Sequence, residues 1–297
     1  MPYITTDDNV NLYFEEAGSG IPIIFAHEFG GDIRSWDPQF RHFARNYRVI
    51  GFNARGYPPS DVPTSESKYG QQRATKDILN LLDALKIEKA HIVGLSMGGF
   101  ATLHFGFNYP ERALSLTIAG AGYGAHPDVH KQFSEETKQV AIRIEADTME
   151  IFAQTYAIGP TRVQFANKDP HGWAIFAKQL QDHSTTGSAL TMRSVQGKRP
   201  SLYDFTKEMN SLITPTLIIN GDEDEPCLDV GLFMKRNIHS SALVLLPRSG
   251  HLINLEEPAV FNNMLGDFLA RVDAGRWQMR DERSRTSNIL WTPDKQK

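Results

Sequence analysis

A serine set between glycines at the end of an apolar run constrains this chain more than any other feature. In Ala90-His91-Ile92-Val93-Gly94-Leu95-Ser96-Met97-Gly98-Gly99-Phe100 the run has the length of a buried strand, and the residues after it suit a helix. Gly94 and Gly98 flank Ser96, as a strand-to-helix turn requires when it is too sharp for side chains against the neighbouring backbone. Such a turn lifts the Ser96 hydroxyl above the sheet edge. It also puts the Met97 N–H at a helix N-terminus, where it can donate to a developing oxyanion. A glycine-rich turn with an incidental serine has the same pattern. The rest of the chain must therefore supply a base, an acid and a second oxyanion donor.

Apolar runs and amphipathic stretches alternate on both sides of this turn. Residues 2–6 and 10–17 read as two short strands, 21–26 as a strand buried on both faces, and 47–52 as the next. Helices are expected near residues 36–45, over 76–85, where Ile78, Leu81, Leu82 and Leu85 share a face, and from Ser96 to Asn108, ahead of Pro110. Residues 114–119, 216–220 and 242–246 are further strands, with helices near 228–236 and from Pro258 onward. The alternation implies an α/β fold: a mostly parallel twisted sheet with helices on both faces.

The alternation breaks once. Residues 123–211 contain helical faces, such as Met149, Phe152, Ala153 and Tyr156, and no convincing strand. The expected organisation is a core of residues 1–122 and 212–275, a helical lid over 123–211, and a polar tail over 276–297 that is mobile or laid on the surface. Gly120-Ala121-Gly122-Tyr123-Gly124 lacks the full dinucleotide spacing and reads as the hinge into the lid.

Composition excludes several classes of function. The 297 residues carry a net charge of −4 and no long basic run, which argues against a nucleic-acid partner. The longest apolar stretches are strand-sized and too short to span a bilayer, and the N-terminus lacks the regions of a signal peptide. The single cysteine, Cys227, excludes an internal disulfide and argues against a structural zinc site built on thiolates. A cytoplasmic protein acting on a small molecule, with no metal or cofactor, is the expectation; composition does not indicate an oligomeric state.

The remaining polar candidates each follow an apolar strand. In a parallel sheet those ends lie along one edge, so residues far apart in sequence converge there. Ser96 is one, Asp222 and Asp224 follow a later strand, and His251 follows the last. A serine hydroxyl needs an imidazole to take its proton and a carboxylate to orient that imidazole. The acidic run from Asp222 to Glu225 could equally be a solvated turn, or part of a metal site with further ligands that nothing supplies. Cys227 reads as a buried small residue. The other histidines show no partner pattern; for His171 and His183 a surface position is expected over a place in the pocket wall.

With these pieces in order, the chain resembles the α/β-hydrolase superfamily, in the branch of lidded esterases, lactonases, C–C bond hydrolases and cofactor-free perhydrolases. The resemblance rests on His27 to Gly31, Asn53-Ala54-Arg55-Gly56, Gly94 to Gly99, Gly221-Asp222-Glu223-Asp224 and Ser249-Gly250-His251. It implies a Ser96–His251–Asp224 triad, since the family's acid pattern falls on Asp224 rather than Asp222. It also implies that Phe29 and Met97 lend their N–H groups to the oxyanion. Serine at the turn sets aside the epoxide hydrolases and haloalkane dehalogenases, which carry aspartate there. The implied activity is cleavage of a small to medium carboxylic ester or lactone. C–C bond hydrolysis, perhydrolysis and a small-molecule receptor role are the alternatives. Tyr156, Trp173 and Phe176 are candidate pocket walls, and equally candidate lid core.

One residue departs from the pattern. The family places glycine after the histidine of the first loop, and this chain has Glu28. A carboxylate aimed at the oxyanion would oppose it. The expectation is that Glu28 points away and is held by an arginine such as Arg34, or by water. The other reading has it lining the pocket to bind a substrate hydroxyl or cation. Asn53, where relatives carry aspartate, and Pro58, in place of glycine, read as structural.

Overall fold

The computed structural model describes residues 2–285 and Ile289. Its strands are β1 Tyr3–Thr5, β2 Asn11–Ala17, β3 Pro22–Ala26, β4 Arg48–Phe52, β5 Ala90–Leu95, β6 Ala113–Ala119, β7 Thr216–Gly221 and β8 Ser241–Leu246. They form one eight-stranded sheet in the order β1-β2-β4-β3-β5-β6-β7-β8. β1 and β2 run antiparallel to their neighbours, and β3 to β8 are parallel.

Alternation along each strand makes two cores. Ile24, Ile50, Ile92, Leu116, Ile118 and Ile218 point to one face of the sheet. There they meet α2 Gln71–Ala84, α3 Met97–Asn108 and α9 Glu225–Asn237. Ile23, Phe25, Val49, Val93, Leu217 and Ile219 point to the other, against α1 Asp37–Phe43, α10 Ile253–Glu256 and α11 Pro258–Asp273. Helices therefore cover both faces, and strands buried on both sides can be apolar without interruption. α2 begins five residues before the expected start and α9 three before, because polar first turns carry no apolar signal.

Between β6 and β7 the described residues are helical: α4 Pro127–Tyr156, α5 Val163–Lys168, α6 Pro170–Gln181, α7 Thr185–Leu190 and α8 Thr206–Ser211, with 3-10 and π turns between them. α4 breaks at Thr148, whose φ of 67° is outside the helical range. The apolar face of this insertion is continuous with the sheet: Ile144, Phe152, Phe165 and Phe176 join the cluster that holds Phe29 and Trp36. After α11, residues 276–285 run along the surface. Trp277 donates to the Ser240 carbonyl (2.7 Å) and packs edge-on against Phe268. Of the expected tail, residues 286–288 and 290–297 lie outside the described residues.

Candidate active site

Ser96 stands at the end of β5 with φ 52° and ψ −111°, a backbone conformation that a serine adopts only under constraint. The constraint is packing. A methyl on Gly98 would lie 2.1 Å from the Ala26 carbonyl oxygen, and one on Gly94 2.1 Å from that of Gly98. The Ser96 N–H donates to the Ala119 carbonyl at the end of β6 (2.8 Å), which ties the turn to the next strand. α3 starts at Met97, so the Met97 N–H is at the positive end of that helix. Among the described residues, neither the Met97 N–H nor the Phe29 N–H donates to a protein acceptor.

Asp224 follows β7 and His251 follows β8, as the parallel edge requires. The Asp224 carboxylate is fully buried and its Oδ2 lies 2.7 Å from His251 Nδ1. Burial favours the neutral acid, but the adjacent His251 imidazole, with Cys227 and Arg162 near it, holds Asp224 below the usual carboxylate range. An ionised Asp224 accepts a hydrogen bond from the Nδ1–H of His251 and leaves Nε2 as the basic nitrogen. The ring rests on Gly120, where a methyl would sit 3.4 Å from it; Gly120 continues β6 beside Ser96. Asp222 takes a different part: its Oδ1 accepts from the Ser249 N–H (3.1 Å) and shapes the histidine loop. Cys227 is buried, with burial pushing its thiol well up, and its Sγ faces the Gly120 carbonyl. Asp224, Cys227 and His251 are the one group of potential metal ligands found among the described residues. The Asp224–His251 hydrogen bond already joins two of them.

The loop after β3 is held from below. The Ala54 N–H donates to His27 Nε2 (3.0 Å), so the proton of this buried neutral imidazole is on Nδ1, which donates to the Glu28 carbonyl (2.7 Å). Burial keeps the His27 pKa below its ordinary value, in accord with that tautomer. Tyr57 donates to the Phe29 carbonyl (3.0 Å). Asn53 is structural, as expected: it accepts from the Ile33 N–H and donates to the Pro58 carbonyl.

Glu28 is buried and paired with an arginine, but not with Arg34. Its Oε2 accepts from Arg162 Nη2 (2.9 Å), and both side chains are at most 1% exposed. Arg34 belongs to Asp32 and Asp182. Local sequence suggested Arg34 because it is close along the chain. Arg162 arrives from the insertion, 134 residues away. Arg162 also donates to Tyr156 Oη (3.1 Å) and lies over the rings of Tyr156 and Phe176. Those two aromatics close on Gly30, and Tyr156 meets Phe29 edge-on, so they flank the loop. Trp173 donates its indole N–H to Ala157 (2.6 Å), a contact inside the insertion. His171 is exposed, but the surface position expected for His183 is wrong. His183 is buried 3.4 Å from Asp32 and edge-on to Tyr57, because the insertion folds down over the sheet edge.

The model of the alpha/beta hydrolase fold family matches residues 21–258. The chain belongs to the α/β-hydrolase fold family. It is 30% identical over 254 residues to 3-oxoadipate enol-lactonase 1 of Acinetobacter baylyi, covering 84% of this chain and 89% of that one. It is 27% identical to a 2-hydroxy-6-oxo-6-phenylhexa-2,4-dienoate hydrolase of Burkholderia cepacia, over 88% of this chain and 92% of that one. Among solved structures it is similar to a thermophilic esterase from Thermogutta terrifontis, with a TM-score of 0.80, 25% identity, and coverage of 91% of this chain and 98% of that one.

Two side chains of this α/β-hydrolase escaped the sequence reading. Arg162 is one of four arginines in residues 123–211, and nothing local marks it as the partner of a distant carboxylate. Glu256 accepts from the Gly250 and Leu252 N–H groups (2.8 and 3.1 Å), the residues on either side of His251. Its closeness to His251 in sequence was the available signal.

Proposed function

We propose that this protein is a serine hydrolase that cleaves a small to medium carboxylic ester or lactone through an acyl-enzyme on Ser96. The observation that carries the reading is the buried Asp224–His251 pair on the strand ends beside the strained Ser96 turn. His251, its Nδ1 proton held by Asp224, takes the Ser96 proton as the hydroxyl attacks the carbonyl and returns it to the leaving alcohol. The N–H groups of Phe29 and Met97 stabilise the tetrahedral oxyanion. Water, activated by the same imidazole, releases the acid. The helical insertion acts as a lid: Ser96 is 8% and His251 6% exposed beneath it. Tyr156 and Phe176, which close on Gly30 in the oxyanion loop, are taken as substrate-pocket walls in this reading.

Similarity to an enol-lactonase and an esterase supports the ester or lactone class. The likeness to a dienoate hydrolase supports C–C bond cleavage as a second reading with the same residues. A panel of aryl esters, lactones and vinylogous 1,5-diketones, with a fluorophosphonate probe, tests both. Ser96→Ala is expected to lower ester turnover by about a thousandfold or more and to abolish labelling. A variant that keeps wild-type turnover would remove Ser96 from the mechanism.

A further inference from the structure

The peptide joining Glu28 to Phe29 carries the candidate oxyanion donor. Its carbonyl end is the Glu28 oxygen, which accepts from His27 Nδ1 (2.7 Å) and from the Gly31 N–H (3.2 Å). Its other end is the Phe29 N–H. The two bonds to the carbonyl set the plane of the peptide, and the Glu28 side chain is a further hold on the same residue. The Glu28 side chain is held by Arg162 alone: Oε2 takes the guanidinium, and Oε1 is buried with no partner among the described residues.

Arg162 sits in a 3-10 turn of the insertion, Pro160–Arg162, and its neighbour completes the arrangement. The Thr161 carbonyl accepts the backbone N–H of His251 (3.2 Å). Two consecutive residues of the insertion thus hold the loop before the oxyanion donor and the loop of the general base. The next turn adds to the same seam. Gln164 donates to Glu223 beside the acid (2.7 Å), and Lys168 donates to Ser249 Oγ (3.1 Å) in the histidine loop.

We propose that Thr161–Arg162 is a clasp by which the lid assembles the active site. In it, Arg162 and Glu28 are positioning residues that brace the residue before the Phe29 N–H and cancel the charge next to the oxyanion. This proposal rests on the serine-hydrolase reading. Glycine at position 28 would leave that loop independent of the lid. Glutamate makes the two cooperative, because an unpaired buried carboxylate there is costly and would also repel the oxyanion. The electrostatics make the two partners unequal. Losing Arg162 leaves an anion beside the developing negative charge. Losing the Glu28 charge leaves a cation, which that charge tolerates.

The test compares Arg162→Met, Glu28→Gln, Arg162→Lys and the double variant Glu28→Gln/Arg162→Met on one aryl ester. Melting temperature and fluorophosphonate labelling at Ser96 are measured alongside. Arg162→Met is expected to lower kcat ~10- to 100-fold with KM changed much less, since a displaced oxyanion donor acts on the transition state. Glu28→Gln should lose less. Arg162→Lys and the double variant should each recover part of the kcat lost in Arg162→Met, although the double variant has lost both charges. Equal losses in the two single variants, or a double variant no better than Arg162→Met at temperatures where all are folded, overturn the clasp. Failure of the serine reading is seen separately, as wild-type protein that is not labelled at Ser96.

Discussion

Asp224 does two things for His251, and only one depends on its charge. Geometry comes from the 2.7 Å hydrogen bond to Nδ1. The tautomer comes from the acceptor character of an ionised carboxylate, which the neighbouring imidazole and guanidinium preserve against burial. Asparagine can keep the distance while presenting an N–H to the ring, which turns the basic nitrogen the wrong way. Asp224→Asn is therefore expected to lower ester kcat by about four orders of magnitude with little change in melting temperature. Stopped-flow acylation and thermal denaturation check the two halves. A variant with near wild-type acylation would move the acid's role to another carboxylate, and Asp222, bonded to the Ser249 N–H, is placed for loop shape instead. Cys227 stands beside Asp224 and the Gly120 carbonyl as a small buried group, as its place after the acid loop suggested.

At the scale of elements, α3 is buried along most of its length and tolerates polar groups poorly. His104 on this helix is 7% exposed, with edge contacts to Phe107 and Phe205 and a buried Nε2 that has no partner among the described residues. Burial, with a smaller contribution from Arg199, pushes its pKa down to about 4. The folded state therefore holds His104 neutral where the unfolded chain, near 6.5, takes up a proton. Its contribution to stability is present in full above pH 6.5 and is lost as pH falls towards 4. The loss over that window is at most ~3 kcal/mol from this residue. His104→Phe should flatten the fall in unfolding free energy between those pH values, as read by urea denaturation at several pH values. His27, held neutral by burial, and Asp77, pushed up to about 6 by burial, act in the same window in both proteins and leave the difference between them to His104. If the slopes of variant and wild type coincide, His104 is not the group responsible.

Across the whole molecule, stability and chemistry are carried by different seams. The insertion reaches the sheet edge through Arg162, Thr161 and Gln164, and shares an apolar cluster with the sheet through Phe152, Phe165 and Phe176. The segment after α11 is fastened at the opposite side, where Trp277 covers Phe268 and bonds the Ser240 carbonyl. Trp277→Ala removes that cover and one hydrogen bond, and should cost about 2 kcal/mol of stability, less than a fully buried tryptophan. The melting temperature should fall, while ester kcat well below the transition stays at the wild-type value. A loss of kcat without a loss of stability would show that the two seams are coupled. No helix among the described residues is long and apolar enough to cross a membrane.

The sequence alone determined the sheet, its helical cover and the point where the alternation is interrupted. Those features depend on local periodicity: apolar strands such as Ile21 to Ala26, one-sided helices such as that of Ile78, Leu81 and Leu82, and glycines where backbones touch. It also placed Ser96, the Asp222–Asp224 loop and His251 on a common edge, because parallel topology converts a position after a strand into a position in space, and the family resemblance singled out Asp224. Tertiary structure alone decided what pairs with what across the insertion. Arg162 is far from Glu28 in sequence, and periodicity says nothing about which of several arginines closes a buried ion pair. The same limit misplaced His183, which polarity put on the surface and the folded insertion buried beside Asp32. Burial is a property of the whole packed chain, and the partner of a buried charge is chosen by which segment folds over it.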